Sequence, residues 1–174
     1  MTPTAATKAK LDPVEATRAE ADAANLAHLE RVDEASVLAT QIHEAVHAGD
    51  ATRAMSLSQQ LHESPVRVAA AHAASLAASV RHLEAQIEAL ASTEERAKAV
   101  AAAAAERWEI AANAHGPRSF DAQHADVDRR DASAAVSHLA DQRRHLQLDI
   151  GERRRKQSAI TNQTVALLLK RAGR

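Results

Sequence analysis

The sequence predicts an all-α protein, and three observations support this prediction. Alanine, the residue with the highest helix propensity, supplies 44 of the 174 residues. Gly and Pro number only four each, and aromatic residues make up 1% of the chain, whereas strand-rich folds need frequent turns together with β-branched and aromatic residues. Apolar residues in the second half recur at alternating steps of four and three, the spacing of a helical seam. We therefore predict a long antiparallel helical hairpin, a coiled coil with an alanine-rich seam, preceded by a long N-terminal helix and a short connecting helix.

The N-terminal helix has clear start and stop signals. Residues 1–12 are predicted to be a flexible tail that ends in Asp12, whose carboxylate can cap a helix. Pro13 suits the first helical position, and Glu15 completes a capping box. Gly49 supplies the left-handed residue that ends many helices, so the helix should stop just before it.

A short helix is predicted next, over residues 51–63. Ser64 and Pro65 form a cap followed by a first-turn proline, which predicts the start of a new helix. This break divides the chain into residues 13–64, with the N-terminal and short helices, and residues 65–174, with the hairpin.

The hairpin is predicted from two helices of similar length, 65–115 and 120–171, separated by Gly116 and Pro117. Because the connection is short, the two helices should fold back on each other. The predicted seam of the first is Leu76, Val80, Leu83, Ile87, Leu90, Glu94, Ala97, Ala101, Ala104 and Trp108. The predicted seam of the second includes Ala132, Val136, Leu139, Arg143, Leu146 and Ile150.

Facing residues follow from this antiparallel pairing. Glu94 is predicted to lie near Arg143, so that two polar members of the seam neutralise each other. Trp108 is predicted to pack opposite Val127, and Phe120 to close the turn. Eight of the ten histidines are predicted to be scattered, mostly on surfaces.

The segment His43-Glu44-Ala45-Val46-His47 matches the H-E-x-x-H pattern of zinc-dependent peptidases. Histidines four residues apart share one helix face and can chelate zinc, while the Glu polarises the bound water. A zinc-dependent hydrolase is therefore one alternative. However, Gly49 and Arg53 do not provide the glycine and third histidine of the extended motif, and no strand is predicted to hold a substrate peptide. We therefore predict no metal, no cofactor and no catalysis, with His43 and His47 as surface residues.

Charge is divided unevenly along a chain whose net charge is −1. Residues 1–65 carry five basic and ten acidic side chains, whereas residues 138–174 carry nine basic and three acidic ones. The C-terminal charge is concentrated in a basic tract: Arg143, Arg144, Arg153, Arg154, Arg155 and Lys156. Binding of nucleic-acid phosphates is a second alternative, but no aromatic residues alternate with the tract to stack on bases.

We predict instead that the basic tract binds protein, together with the apolar face of the N-terminal helix. The residues of that face assigned to partner contacts are Leu29, Val32, Leu38 and Ile42. Covering this face requires either packing within the chain or association with another chain. The thin core predicted for an alanine-rich hairpin favours a homo-oligomer or a larger protein assembly.

The chain has no cysteine, which excludes disulfides and thiolate chemistry. No secretory signal or membrane span is predicted, so we expect a cytoplasmic or virion setting. In architecture and charge the chain resembles virus scaffolding and accessory head proteins, as well as the coiled-coil stalk and escort proteins of export systems. This resemblance implies a non-catalytic helical protein that self-associates or binds a larger assembly.

Overall fold

A computed structural model describes residues 12–172, which form three α-helices and contain no strand. The helices are α1 (Pro13–His47), α2 (Ala51–His115) and α3 (Phe120–Ala172). The all-α prediction is confirmed for this part of the chain. Residues 1–11 of the predicted tail lie outside the described residues.

Capping side chains and glycines lie at the ends of the helices, where the sequence indicates them. Asp12 Oδ1 accepts a 2.9 Å hydrogen bond from the backbone N–H of the first turn of α1. Ser119 Oγ accepts a 3.2 Å hydrogen bond from the backbone N–H of Ala122 at the start of α3. Gly49 and Gly116 follow α1 and α2 with φ of 73° and 85°, a region that favours glycine. The predicted bounds of α1 and the predicted start of α3 are therefore confirmed.

One predicted boundary is wrong, because α2 continues through Pro65. The predicted short helix 51–63 is the first part of α2, and no new helix starts at Ser64. An interior proline removes a backbone hydrogen bond and costs about 3 kcal/mol. Packing around it compensates, since Ser64 and Ala54 are buried and Leu61 is half-buried on this stretch of α2.

The chain divides into two compact units, and α2 and α3 each contribute to both. Unit 1 comprises the described residues up to 82 and from 151 onwards. It contains α1, the first part of α2 and the last part of α3. Its buried side chains are small or medium in size: Ala45, Ala54, Ser64, Ser75, Ala78 and Val80.

Contacts between α1 and α2 hold unit 1 together. They pair Thr17 with His82, Glu20 with Arg81, and His28 with His72. Partner numbers on α2 fall as those on α1 rise, so the two helices run in opposite directions. The N-terminal helix therefore packs within the chain, a point that the sequence left open.

Unit 2 comprises residues 83–150, from the second part of α2 through the turn into α3. Its buried side chains are Leu83, Glu94, Ala104, Ala122 and Ile150. Every predicted seam position from 83 to 108 and from 132 to 150 is buried or half-buried. Alanines at 104 and 122 leave at most 1% of their surface exposed, which places neighbouring atoms in contact with them.

The end of unit 2 near the turn differs from its prediction. Trp108 is half-buried, but the guanidinium of Arg129 covers its ring at 5.0 Å, and Val127 is exposed. A cation over an indole face is favourable, so the longer Arg side chain replaces Val as the cover. Phe120 is 79% exposed and does not close the turn.

Candidate interaction surfaces

The face of α1 that we assigned to partner contacts is only partly covered within the chain. Leu29 and Val32 are exposed, while Leu38 and Ile42 are half-buried. The positions of α1 with less exposure include several small residues, among them Ala21, Ala24 and Ala45. Small side chains let two helices approach closely, so the packing favours them over the larger Leu and Val.

A groove lies between α1 and α2 on the surface of unit 1. We call it the acidic groove; it has a volume of about 540 Å³ and is lined by Glu30, Asp33, Glu34, Val37, Leu38, Gln60 and Arg67. Glu34 is paired with Arg31 at 2.6 Å, and Arg67 with Glu63 at 2.8 Å. In contrast, Glu30 and Asp33 form no ion pair with any other described residue.

The last turns of α3 present a second unusual surface, which we call the C-terminal ridge: Val165, Leu168, Leu169 and Lys170. All three apolar side chains are exposed, Leu169 by 68%. Arg171 donates a hydrogen bond to the backbone carbonyl of His62, which holds this end of α3 against α2. Within residues 12–172, Lys170 has no carboxylate partner.

The two surfaces carry opposite charge. The acidic groove is lined by the carboxylates of Glu30, Asp33 and Glu34 and by one guanidinium, that of Arg67, whereas the C-terminal ridge carries the ammonium of Lys170. Both surfaces belong to unit 1, and both contact residues 60–67 of α2.

The basic tract is not a single cluster. Arg143 and Arg144 belong to unit 2, and residues 153–156 belong to unit 1. Arg144 pairs with Asp141 at 3.6 Å, and Lys156 with Glu152 at 2.6 Å. Two of the six charges predicted to meet a partner are therefore paired locally, along the same helix.

Arg143 is engaged with Glu94, as predicted. Its Nη1 lies 2.8 Å from Glu94 Oε2, and Lys98 Nζ lies 3.0 Å from Oε1. Glu94 is only 4% exposed. The hydrogen bond from Lys98, reinforced by the charge of Arg143, holds the pKa of Glu94 below its usual value although burial acts to raise it. Glu94 is thus an ionised side chain that links α2 to α3 inside unit 2.

The H-E-x-x-H segment lies at the C-terminal end of α1, with His43, Glu44 and His47 exposed. The Nε2 atoms of the two histidines are 3.0 Å apart, and their rings meet edge to face. In residues 12–172, no group of three or more His, Cys, Asp or Glu side chains is arranged to hold a metal ion. Catalytic zinc sites use three protein ligands, and this segment supplies two.

A histidine pair at the α1–α2 contact was missed by sequence reasoning. The rings of His28 and His72 stack at 4.5 Å with 14° between their planes. Burial, followed by the nearby charge of His28, lowers the pKa of His72. The signal in the sequence was the spacing of His28 from Ala21 and Ala24, which places all three on one face of α1.

None of the described helices contains an apolar stretch long enough to cross a membrane. The two surfaces with opposite charge are the distinctive features of unit 1. A comparison of the chain with family models, curated proteins and solved structures gives no match.

Proposed function

We propose that the chain is a non-catalytic helical assembly protein that associates with further copies of itself. The supporting observation is how its large apolar side chains are distributed. Among the described residues, fifteen of them are exposed, whereas Val80, Leu83 and Ile150 are the large ones that are buried. Each Å² of apolar surface removed from water contributes about 25 cal/mol. Burial against another chain would therefore stabilise this protein substantially.

The second part of the proposal concerns unit 2, which we propose to be an antiparallel coiled-coil hairpin. Two contacts support it: Glu94 meets Arg143, and Trp108 meets Arg129. The α3 partner number falls as the α2 number rises, as antiparallel helices require. The alternating burial of the predicted seam supports the same arrangement.

Cysteine cross-linking tests the hairpin, because the natural chain has no cysteine to interfere. Ala101→Cys combined with Val136→Cys should be joined efficiently within one chain by a short bismaleimide reagent. The control combines Ala101→Cys with Leu148→Cys, which lies about 18 Å further along α3 at about 1.5 Å per residue. Equal cross-linking of both variants, or cross-links only between chains, would contradict the hairpin.

Sedimentation equilibrium of the full chain tests self-association. We expect the average mass to rise reversibly from that of a monomer towards that of a dimer or larger species as concentration rises. A monomer mass at every concentration up to the solubility limit would contradict the proposal. An assembly role of this kind suits either setting predicted from the sequence, the cytoplasm or a virion.

The two alternatives remain predictions. Zinc hydrolysis predicts stoichiometric zinc in the purified protein and its loss in His43→Ala. Nucleic-acid binding predicts affinity that falls steeply with salt and weakens when Arg153, Arg154 and Arg155 are reversed to Glu. Metal analysis and a salt titration with duplex and single-stranded DNA test them directly.

A further inference from the structure

The acidic groove and the C-terminal ridge are complementary in chemistry. The groove combines the apolar side chain of Val37, which is 53% exposed, with the carboxylates of Glu30 and Asp33, which form no ion pair with another described residue. The ridge combines exposed leucines with the ammonium of Lys170, which has no carboxylate partner within residues 12–172. An apolar helix end flanked by positive charge is the type of segment that such a groove would bind.

The spacing of residues on α1 suits this role. Leu26, Glu30, Asp33 and Val37 follow at steps of four, three and four, which places them along one helix face. On α3, Val165 and Leu169 follow at a step of four, which places them on one face, and Lys170 follows Leu169 at the edge of that face. On each helix, apolar side chains of one face are therefore flanked by charge of one sign.

The position of the two surfaces determines what kind of dimer they could form. Gln60 and Arg67 line the groove, and His62 and Glu63 lie beside the end of α3, so both surfaces are at the same level along α2. A two-fold axis at that level could place each copy's ridge against the other copy's groove. Two-fold dimers of this kind, in which the same patch is used by both subunits, are the commonest homo-oligomers.

Resting on the proposed self-association, we infer that a second copy of this chain is the partner of the acidic groove. The C-terminal ridge of each copy docks in the groove of the other, in a reciprocal dimer. Val165 and Leu169 supply the apolar contact, and Lys170 meets Glu30 and Asp33. The reciprocal arrangement buries both stripes at once, and it closes the assembly at two chains.

Charge reversal gives a test that only this pairing passes. A groove variant carries Glu30→Lys and Asp33→Lys, and a ridge variant carries Lys170→Glu and Arg171→Glu. In a dimer of either variant, like charges face each other at both contacts. Placing like charges together at one contact weakens binding roughly tenfold or more, so the two contacts together should raise the dimer dissociation constant roughly a hundredfold.

Mixing the two variants should restore association. The basic groove of the first then faces the acidic ridge of the second, and the acidic groove of the second faces the basic ridge of the first. Sedimentation equilibrium of each variant and of the equimolar mixture measures this, with circular dichroism to verify that both are helical. Because Arg171 also bonds to the backbone of His62, Lys170→Glu alone serves as a second ridge variant that leaves that bond intact.

A variant with Glu106→Lys and Glu109→Lys is the matched control, because it reverses two exposed charges in unit 2. It should leave the dissociation constant unchanged. Monomeric variants whose mixture forms a dimer would support the inference. Variants that dimerise as tightly as the natural chain, or whose mixture stays monomeric, would overturn it while leaving self-association standing. A natural chain that is monomeric throughout would overturn both proposals.

Discussion

Units 1 and 2 are both helical, but they differ in how many large apolar side chains they expose and in how their charged side chains are paired. Unit 2 leaves five large apolar side chains exposed, dispersed along both of its helices, and its buried Glu94 is paired on both carboxylate oxygens. Unit 1 leaves ten exposed, and several of them lie in or beside the acidic groove and the C-terminal ridge, where Glu30, Asp33 and Lys170 form no ion pair with another described residue. Exposed apolar residues are common on protein surfaces, but contiguous patches of them mark interaction sites. The difference supports our proposal that unit 1 carries the surface that binds a second copy of the chain.

The largest effect on the free energy of unfolding is expected from truncating a buried apolar side chain in unit 2. Leu83 is 8% exposed, so Leu83→Ala should lower the free energy of unfolding by about 3 kcal/mol. Leu148→Ala removes the same atoms from a side chain that is 63% exposed. It should change the free energy of unfolding by less than about 0.5 kcal/mol. Urea denaturation followed by circular dichroism measures both. Equal losses would show that the buried seam does not stabilise unit 2.

A smaller loss is expected from the buried carboxylate. Glu94→Ala removes the partner of both Lys98 and Arg143, whereas Glu95→Ala removes only an exposed contact with Lys98. Glu94→Ala should therefore lower the urea midpoint clearly more than Glu95→Ala does. Because the pKa of Glu94 is lowered in the folded chain, its contribution is full above its ordinary pKa of 4.5 and is lost as pH falls through the folded value.

That pH dependence provides a further check on the same pair. The difference in urea midpoint between the natural chain and Glu94→Ala should narrow when both are measured at acidic pH. A gap that stays constant down to strongly acidic pH would show that Glu94 acts by its shape and not by its charge.

A gain in stability is expected at Gly151, which lies inside α3. A Cβ added there meets no atom within 4 Å, so Gly151→Ala should raise the free energy of unfolding by about 1 kcal/mol. Gly49→Ala is the contrasting variant, because φ of +73° is unfavourable for alanine. It should be destabilising in the same urea assay. A loss at Gly151 would mean that the helix needs its flexibility there.

The smallest effect is expected from the histidine pair of unit 1. Folding lowers the pKa of His72 from its ordinary value of 6.5, so the unfolded chain binds the proton more tightly. Stability should be full above pH 6.5, fall as pH drops below it, and level off below the folded pKa. His72→Gln should remove the part of this loss of stability that comes from protonation of His72. Urea midpoints measured across this pH range compare the two proteins, and an identical decline in both would exclude His72 as its source.

Much of the fold could be predicted because it depends on local signals. The caps at Asp12 and Ser119 and the glycines at 49 and 116 act through the nearest turn of the backbone, and the sequence displays them directly. The alternating seam of unit 2 was also readable, since large apolar residues such as Leu83, Leu90 and Ile150 recur at a regular spacing.

The rest depends on tertiary packing, which composition does not reveal. α2 continues through Pro65, beside which Ser64 is buried and Val66 is half-buried. α1 packs on α2 partly through alanines and His28, which its larger apolar residues did not reveal, while the partner role of Leu29 and Val32 stays a prediction. Arg143 is paired with Glu94, as the sequence predicted, and its contact with a partner stays a prediction.

Hydrogen exchange measured at low and high protein concentration tests the central claim most directly, because it reports on both units in one experiment. We expect amide protection to increase with concentration in residues 26–37 and 162–172, where the acidic groove and the C-terminal ridge lie. Residues 100–127 of unit 2 should exchange at the same rate at both concentrations. Protection that is independent of concentration throughout the chain, or that rises only in residues 100–127, would contradict a partner surface on unit 1.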